Sequence, residues 1–439
     1  MNEEVSFIGL GKLGLPLATC FGKNKVNVLA IDKNEKVISD LKNQKAPFYE
    51  PDLQTNIDLA SGNMNYTTSY DIIGETDITI ILVNTPSKKK DGSFSNLYIE
   101  QSLESSCEIL KKTRKKYHLF IISSTVMPGS IVDSFIPLIE NITNWKINEK
   151  FGVCYIPDFV ALGTVIKDFE NPEIVVLGES DKKAGDLAEK LYSKILKNNP
   201  PIHRLTLPEA EIAKVSLNAY VTMKLSFANF LANICERVDN ANVDNITNAI
   251  GEDKRISPYF FKGGLSFGGT CFPRDTWAFI KLSNKLGLDA VHIKATQEIN
   301  ENQDKHLFQF VNQFDKHKIS VLGLSFKPNS PVLTESASIK LVQKLVEIGK
   351  EIYVYDPLCL EQVKDVFGDK IIYCDSAKEC VRKTELSVVA LQYEEFREIS
   401  DDWTDKEEFI LVDCWRYLDR SKFSKIKYYA LGIKDSYGF

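Results

Sequence analysis

The chain has 439 residues, 44% hydrophobic and 26% charged, an ordinary soluble globular composition and enough for about three domains at ~150 residues each. Disorder, collagen and coiled coil are excluded as dominant architectures. Lys and Arg number 54 against 60 Asp and Glu, a net charge of −6, which argues against a protein that grips nucleic acid by counterion release.

Met1-Asn2-Glu3-Glu4 is acidic and runs straight into a strand pattern, unlike a secretory signal. Apolar runs then follow at Val5–Ile8, Val26–Ile31, Ile78–Val83 and Leu119–Ser123, each ending at a turn or a Gly/Pro signal. Runs without alternation suit parallel strands covered on both faces. Phe151–Ile156 and Ile174–Gly178 extend the same sheet, so residues 1–202 are expected to form one doubly wound α/β domain. Thr206 and Glu209 have capping-box spacing, with Pro208 in the first turn, and no Gly or Pro interrupts Glu209–Val238. A helix of ~30 residues, about 45 Å long, is expected there, opening a helical middle over residues 203–301. Residues 302–439 repeat the opening theme, with short apolar strands at Ile319–Gly323, Glu351–Tyr355, Leu386–Leu391 and Phe409–Val412. The basic run Lys88–Lys90 reads as a solvated loop. No apolar run reaches the roughly 18 residues of a membrane-spanning helix, so no membrane partner is expected. Nine cysteines without a C-x-x-C pair and five scattered histidines indicate neither a disulfide framework nor a metal site; a reduced, cytoplasmic protein is expected.

Gly9-Leu10-Gly11-Lys12-Leu13-Gly14 follows the first strand and opens a helix. The first glycine permits a tight turn, the second lets backbone approach a pyrophosphate, and the third allows close helix–strand packing. The helix N-terminus offers N–H groups and a partial positive charge to phosphates. Asp32 ends the second strand eighteen residues after Gly14, where a carboxylate accepts hydrogen bonds from a ribose diol and repels a 2′-phosphate. NAD is favoured over NADP, with Lys33 beside Asp32 as the opposing feature. A ligand-free structural turn is the alternative. Ser123-Ser124-Thr125 closes the fourth strand at the carboxyl edge where ligands of open α/β sheets sit, and a helix cap is a compatible role.

Gly263-Gly264-Leu265-Ser266-Phe267-Gly268-Gly269-Thr270-Cys271-Phe272-Pro273-Arg274-Asp275 places four glycines before one cysteine, so backbone can approach a bound molecule closely. If a helix starts near Pro273, its positive end favours a thiolate at Cys271. Asp275 is near enough in sequence to share the site. The competing reading is a small buried cysteine, the usual state of this residue. Lys214 and Asn218, four apart on the long helix, share one face and can offer an ammonium and an amide to an oxyanion; an exposed surface lysine fits the spacing equally.

Taken in order, these motifs resemble the UDP-glucose/GDP-mannose dehydrogenase family of nucleotide-sugar 6-dehydrogenases over nearly the whole chain. The likeness includes Pro47-Phe48-Tyr49-Glu50-Pro51, Asn84-Thr85-Pro86, Ser124-Thr125-Val126-Met127-Pro128-Gly129, Pro157-Asp158-Phe159, Ser325-Phe326-Lys327 and Val412-Asp413-Cys414-Trp415-Arg416. The resemblance implies two Rossmann-like domains joined by a long central helix and a helical middle, and a homodimer built on that helix. It also implies oxidation of a sugar C6 hydroxyl to a carboxylate with reduction of two NAD, through a thiohemiacetal and a thioester on Cys271. By resemblance, Lys214 stabilises the oxyanion, Asp275 handles protons or positions water, and Thr125 and Asn218 hold the reacting hydroxyl or water. Thr85 and Thr125 join Gly9, Gly11, Lys12, Leu13, Gly14 and Asp32 at the coenzyme. Asp158, Phe159, Lys214, Asn218, Arg255, Tyr259, Gly268, Lys327 and Arg416 surround the nucleotide sugar, with Arg255 often reaching across the dimer.

The chain departs from the family pattern in two places. Asp158 stands where a glutamate is usual and Leu162 replaces a second one; both are associated with thioester hydrolysis, which is therefore expected to be slow or to run on water placed by Asp158 and Asp275. Thr334 replaces an arginine, removing one cationic contact to a diphosphate. UDP-glucose is the leading substrate. Thr270 stands where relatives acting on N-acetylated sugars place histidine, while Ser257-Pro258-Tyr259 leans towards GDP-mannose; GDP-mannose or a UDP-N-acetylhexosamine is the alternative. A two-electron hydroxyacid dehydrogenase leaves Cys271 and the last domain unexplained. A catalytically impaired nucleotide-sugar-binding protein is motivated by Asp158, Leu162 and Thr334 and opposed by the intact Lys214, Cys271 and Asp275.

Overall fold

The computed structural model describes residues 4–87 and 93–434. The basic run Lys88–Lys90 and the first three residues, both given a role from sequence, lie outside the described residues. The chain forms two compact units that divide between Ser216 and Leu217, inside the long helix.

In the first unit, eight strands form one sheet: β1 (Glu4–Ile8), β2 (Asn27–Ile31), β3 (Met64–Thr67), β4 (Ile78–Ile81), β5 (His118–Ile122), β6 (Phe151–Tyr155), β7 (Val175–Glu179) and β8 (Ile202–Thr206). Their order is β3-β2-β1-β4-β5-β6-β7-β8, parallel throughout except for the β6/β7 pair. Successive residues of the central strands feed opposite cores. Val5, Phe7, Ile80 and Ile121 pack on one face, Ile8, Ile81 and Ile122 on the other. This is why the apolar runs do not alternate. The strands missed from sequence are β3, with Met-Asn-Tyr-Thr, and β8, with Ile-His-Arg-Leu-Thr, at the two edges.

The second unit carries the helices that follow Leu217 and a six-stranded parallel sheet. Its strands are β9 (Lys318–Leu322), β10 (Glu351–Tyr355), β11 (Ile372–Tyr373), β12 (Leu386–Val389), β13 (Ile410–Asp413) and β14 (Lys427–Ala430), in the order β11-β10-β9-β12-β13-β14. This is the doubly wound order in which the chain turns back beside its first strand.

The two sheets share fine detail. Ser6 Oγ lies 2.7 Å from Thr79 Oγ1 and accepts from Thr76 Oγ1 at 3.0 Å, all three fully buried. Ser320 on β9, Ser387 on β12 and Thr384 just before β12 occupy matching positions, and their hydroxyls bond in the same way. Buried hydroxyls need such partners. The first turn also recurs: Gly9 and Gly323 both have positive φ, 98° and 88°, and each is followed by a leucine whose N–H reaches an aspartate ending the next strand. Asp32 accepts one backbone N–H on each oxygen, from Leu10 at 2.7 Å and Asn34 at 2.8 Å. Asp356 accepts four, from Leu324, Ser325, Leu358 and Cys359, and is 2% exposed.

The long helix spans Leu207–Cys235, and Glu209 Oε2 accepts from both the Thr206 N–H and the Thr206 hydroxyl at 2.8 Å. The cap differs from the expected box in that the Thr206 hydroxyl turns to the glutamate. Among the described residues no helix is long and apolar enough to cross a membrane.

Candidate active site

The turn after β1 has the form its glycines require. A Cβ on Gly9 would run into the Leu82 carbonyl and one on Gly14 into the Gly9 carbonyl, so these two positions are closed to side chains by the chain itself. Gly11 is exposed with nothing within 4 Å of a Cβ position, which leaves room for a phosphate. Lys12 is exposed and Leu13 half-buried just before the helix Gly14–Lys23. That helix starts without a side-chain cap, and the first amides of a helix have no intrahelical partner. With Asp32 held in place by two backbone amides and half-exposed, the turn suits a dinucleotide. The Lys33 ammonium lies 4.5 Å from the centroid of the Tyr98 ring.

At the ends of β4 and β5, Ser124 Oγ accepts from Val83 N–H and donates to Val83 O, both at 2.8 Å, tying the two strands together. The helix-cap reading of this segment is replaced: the helix that follows is capped by Glu211 of the long helix, which accepts from Gly129 N–H at 2.7 Å and Ile131 N–H at 3.0 Å. Glu211 is fully buried, and burial pushes its carboxyl up to about 7. Sequence reasoning missed it. Thr125 is half-buried beside Ser124, and Thr85 is buried.

Lys214 is buried, which removes the surface-lysine reading. Its ammonium donates to the Asp158 carbonyl at 2.6 Å and sits 4.6 Å from the Phe159 ring centroid. Asp158 Oδ2 is a buried oxygen without a hydrogen-bond partner. Burial pushes this carboxyl up to about 7, against the opposing pull of Lys214. Glu50 is the second residue whose job sequence left open. Its two oxygens accept from Gly163 and Val165 N–H at 2.9 Å each and hold the loop that follows Asp158.

In the second unit, the helix Phe272–Lys285 begins directly after Cys271, with Pro273 in its first turn. Cys271 is exposed, whereas the other eight cysteines are buried. The Thr270 hydroxyl lies 3.6 Å from its sulfur. The Asp275 N–H donates to the Cys271 carbonyl at 2.8 Å. The Asp275 side chain is fully buried, accepting from Asn218 Nδ2 at 2.6 Å and Arg274 Nε at 3.2 Å. Both its oxygens therefore have partners, and its geometry orients Asn218. Gly268 packs against the Glu335 carbonyl and Gly269 against the Phe326 ring, with Gly269 N–H donating to Thr334 O at 2.9 Å. Thr334 thus meets the cysteine segment through its backbone.

Tyr259 is 76% exposed, on a loop whose Ile256, Ser257 and Tyr259 carbonyls all accept from Lys224 of the long helix, at 2.6–3.0 Å. Arg255 is exposed and paired with Asp253 at 2.6 Å. Lys327 is half-buried, its ammonium 5.8 Å from the Phe326 ring centroid. Arg416, expected at the nucleotide-sugar cleft, is committed elsewhere. Its side chain is 5% exposed, forms a two-pronged pair with Asp244 at 2.8 and 2.9 Å, and donates to Leu431 O and Gly263 O at 2.6 Å. A guanidinium presents five donors in a fixed fork, and these partners absorb it. Among the described residues, no cluster of His, Cys, Asp and Glu could hold a metal ion.

Comparison with known proteins fits this geometry. Models of the UDP-glucose/GDP-mannose dehydrogenase family match in three parts: the NAD binding domain at residues 3–196, the central domain at 208–302 and the UDP binding domain at 320–420. The UDP-glucose 6-dehydrogenase AglM of Haloferax volcanii is 32% identical over 425 residues, covering 95% of this chain and 97% of that protein. A GDP-mannose 6-dehydrogenase of Pseudomonas syringae is 32% identical over 358 residues, 80% of each chain. The solved structure of a UDP-glucose dehydrogenase from Pyrobaculum islandicum superposes with a TM-score of 0.88 at 28% identity, covering 98% of both chains. The chain belongs to the UDP-glucose/GDP-mannose dehydrogenase family, and it is an NAD-dependent nucleotide-sugar 6-dehydrogenase.

Proposed function

We propose that the chain oxidises the C6 hydroxyl of UDP-glucose to the carboxylate in two oxidations, with the carbon held on Cys271 between them. The observation that carries this reading is the exposure of one sulfur among nine, at the start of a helix and at the end of a glycine-rich segment. Gly9, Gly11, Lys12, Leu13, Gly14, Asp32, Thr85 and Thr125 would hold the coenzyme, which would supply a hydride acceptor for each oxidation. Removal of the first hydride and the hydroxyl proton leaves an aldehyde. The Cys271 sulfur adds to its carbon, and the former carbonyl oxygen takes a proton, giving a thiohemiacetal. Loss of a second hydride and that proton leaves a thioester, and water cleaves the carbon–sulfur bond to release the acid and the thiol. Capture on sulfur keeps a reactive aldehyde from escaping.

The buried Lys214 ammonium supplies charge for the oxyanion, a kind of donor whose loss costs ~100–1,000-fold in rate. Asn218, aimed by Asp275, and Thr125 hold the reacting hydroxyl or water. Asp158, with its unpartnered oxygen, accepts a proton from the hydrolytic water. Phe159, Tyr259, Gly268 and Lys327 line the nucleotide sugar. GDP-mannose is the second reading, favoured by Ser257-Pro258-Tyr259 and by the GDP-mannose 6-dehydrogenase relative.

The protein acts as a homodimer in a reducing, cytoplasmic compartment, consistent with nine free thiols. Tyr220, Phe227, Phe230 and Ile234 expose 41–59% of their surface at near-heptad spacing on the long helix, an apolar stripe that a second copy covers. Arg255, exposed in the single chain, then reaches the partner's site. Purified protein given NAD and a panel of nucleotide sugars tests the assignment: two NADH per UDP-glucose, and none of the uronate from Cys271→Ser by mass spectrometry. Full uronate output from that variant removes the mechanism, and turnover of GDP-mannose alone moves the substrate.

A further inference from the structure

A glycine-rich segment is a poor place to hold a nucleophile. Each glycine gives up more backbone freedom on ordering than any other residue, and a displacement of about 1 Å at the reacting atom costs on the order of 100-fold in rate. Between Gly263 and Thr270 the backbone belongs to no strand or helix. Gly263, Gly264, Leu265, Phe267, Gly268 and Gly269 are buried, so their amides and carbonyls need partners from elsewhere.

Three side-chain carboxamides provide them. Asn229 Oδ1 accepts from Gly264 N–H at 2.8 Å while its Nδ2 donates to Leu265 O at 3.1 Å. Asn300 brackets one residue, accepting from Phe267 N–H at 2.8 Å and donating to Phe267 O at 3.0 Å. Gln303 donates to Gly264 O at 2.5 Å and is itself oriented by Asn233 Nδ2, 3.2 Å from its Oε1. The three are 1%, 3% and 1% exposed. Asn229 comes from the long helix, and Asn300 and Gln303 come from the helix Val291–Asn312. A carboxamide has the same donor and acceptor as a peptide group, so these side chains act as the neighbouring strand that the segment lacks.

We propose that Asn229, Asn300 and Gln303 are positioning residues that fix the glycine segment and, through it, the sulfur of Cys271. The inference rests on the reading of Cys271 as the nucleophile. Arg416, holding the Gly263 carbonyl, and Thr334, holding the Gly269 amide, tie down the two ends of the same segment.

The test is Asn300→Asp. Its ionised carboxylate keeps the bond from Phe267 N–H but turns a second oxygen on Phe267 O; protonation restores the donor. The expected result at pH 8 is a kcat lowered ~10–100-fold, with KM for NAD and for the nucleotide sugar within about twofold. Alkylation of Cys271 by iodoacetamide, read by mass spectrometry, slows at least about threefold, and both effects shrink as the pH is lowered. Gln303→Met, which keeps the length and removes the donor, gives a pH-independent loss of kcat and serves if the aspartate variant does not fold. A kcat and alkylation rate within twofold of wild type in these variants overturns the positioning role while leaving Cys271 intact. Full activity of Cys271→Ser overturns the nucleophile itself.

Discussion

Asp158 and Glu211 are both carboxyl groups whose burial pushes them up to about 7. The folded chain therefore keeps protons that the unfolded chain releases near pH 4. The stability this confers is full below about pH 4 and is lost as pH rises through about 7. Their functional consequences differ. Glu211 is spent on two backbone amides, whereas Asp158 has an oxygen committed to no other group, so its ionisation is free to couple to the proposed hydrolysis. The hydrolytic phase of turnover is expected to rise through pH about 7 in the wild type and to lose that inflection in Asp158→Asn, measured by single-turnover uronate release. An unchanged inflection in the variant assigns the proton to another group. Asp158 was visible in the sequence by its motif; Glu211 was not, because a glutamate on a long helix gives no sign of facing inward.

Among the elements, the loop after β5 depends on a residue more than eighty positions later. Glu211→Ala leaves the Gly129 and Ile131 amides without their acceptor, and is expected to lower the unfolding free energy by about 2 kcal/mol or more, read by urea denaturation. An effect under about 0.5 kcal/mol would show that water or a shifted loop replaces it. The central strands were legible because both faces are buried and apolar residues dominate both, as in Ile78–Ile81, where Thr79 alone interrupts, and Leu119–Ile122 after His118. Edge strands were harder. β11 is two residues and β14 reads Lys-Tyr-Tyr-Ala, since a strand with one neighbour needs less apolar surface. The start of the helix after Cys271 followed from Pro273, yet the carboxamides that hold the glycine segment did not: Asn229 and Asn300 are 35 and 33 residues from their partners and look like surface positions in a helix. Arg416 carried a recognisable motif but not its neighbours, and only packing assigned its donors to Asp244 and Gly263.

At the scale of the whole molecule, the apolar stripe of the long helix predicts the assembly. Phe230→Asp places a charge in the middle of the stripe and is expected to give a monomer by light scattering, with the wild type expected at twice the chain mass. A wild type at 49.7 kDa in solution would sink the dimer. The fold class was legible at this scale because both sheets announce themselves by strand–helix alternation, even though the helical middle packs into the second compact unit.

The saturation of Asp356 predicts how many coenzymes one chain holds. Its lone pairs already receive four peptide hydrogens, and Pro328 stands where the first turn has Gly14, so the later turn leaves no carboxylate oxygen for a coenzyme ribose. Calorimetric titration with NAD should end at one equivalent per polypeptide. On the proposed mechanism, the two oxidations would then draw on successive visits to a single berth, with spent coenzyme exchanged for fresh while the half-oxidised sugar waits on the protein.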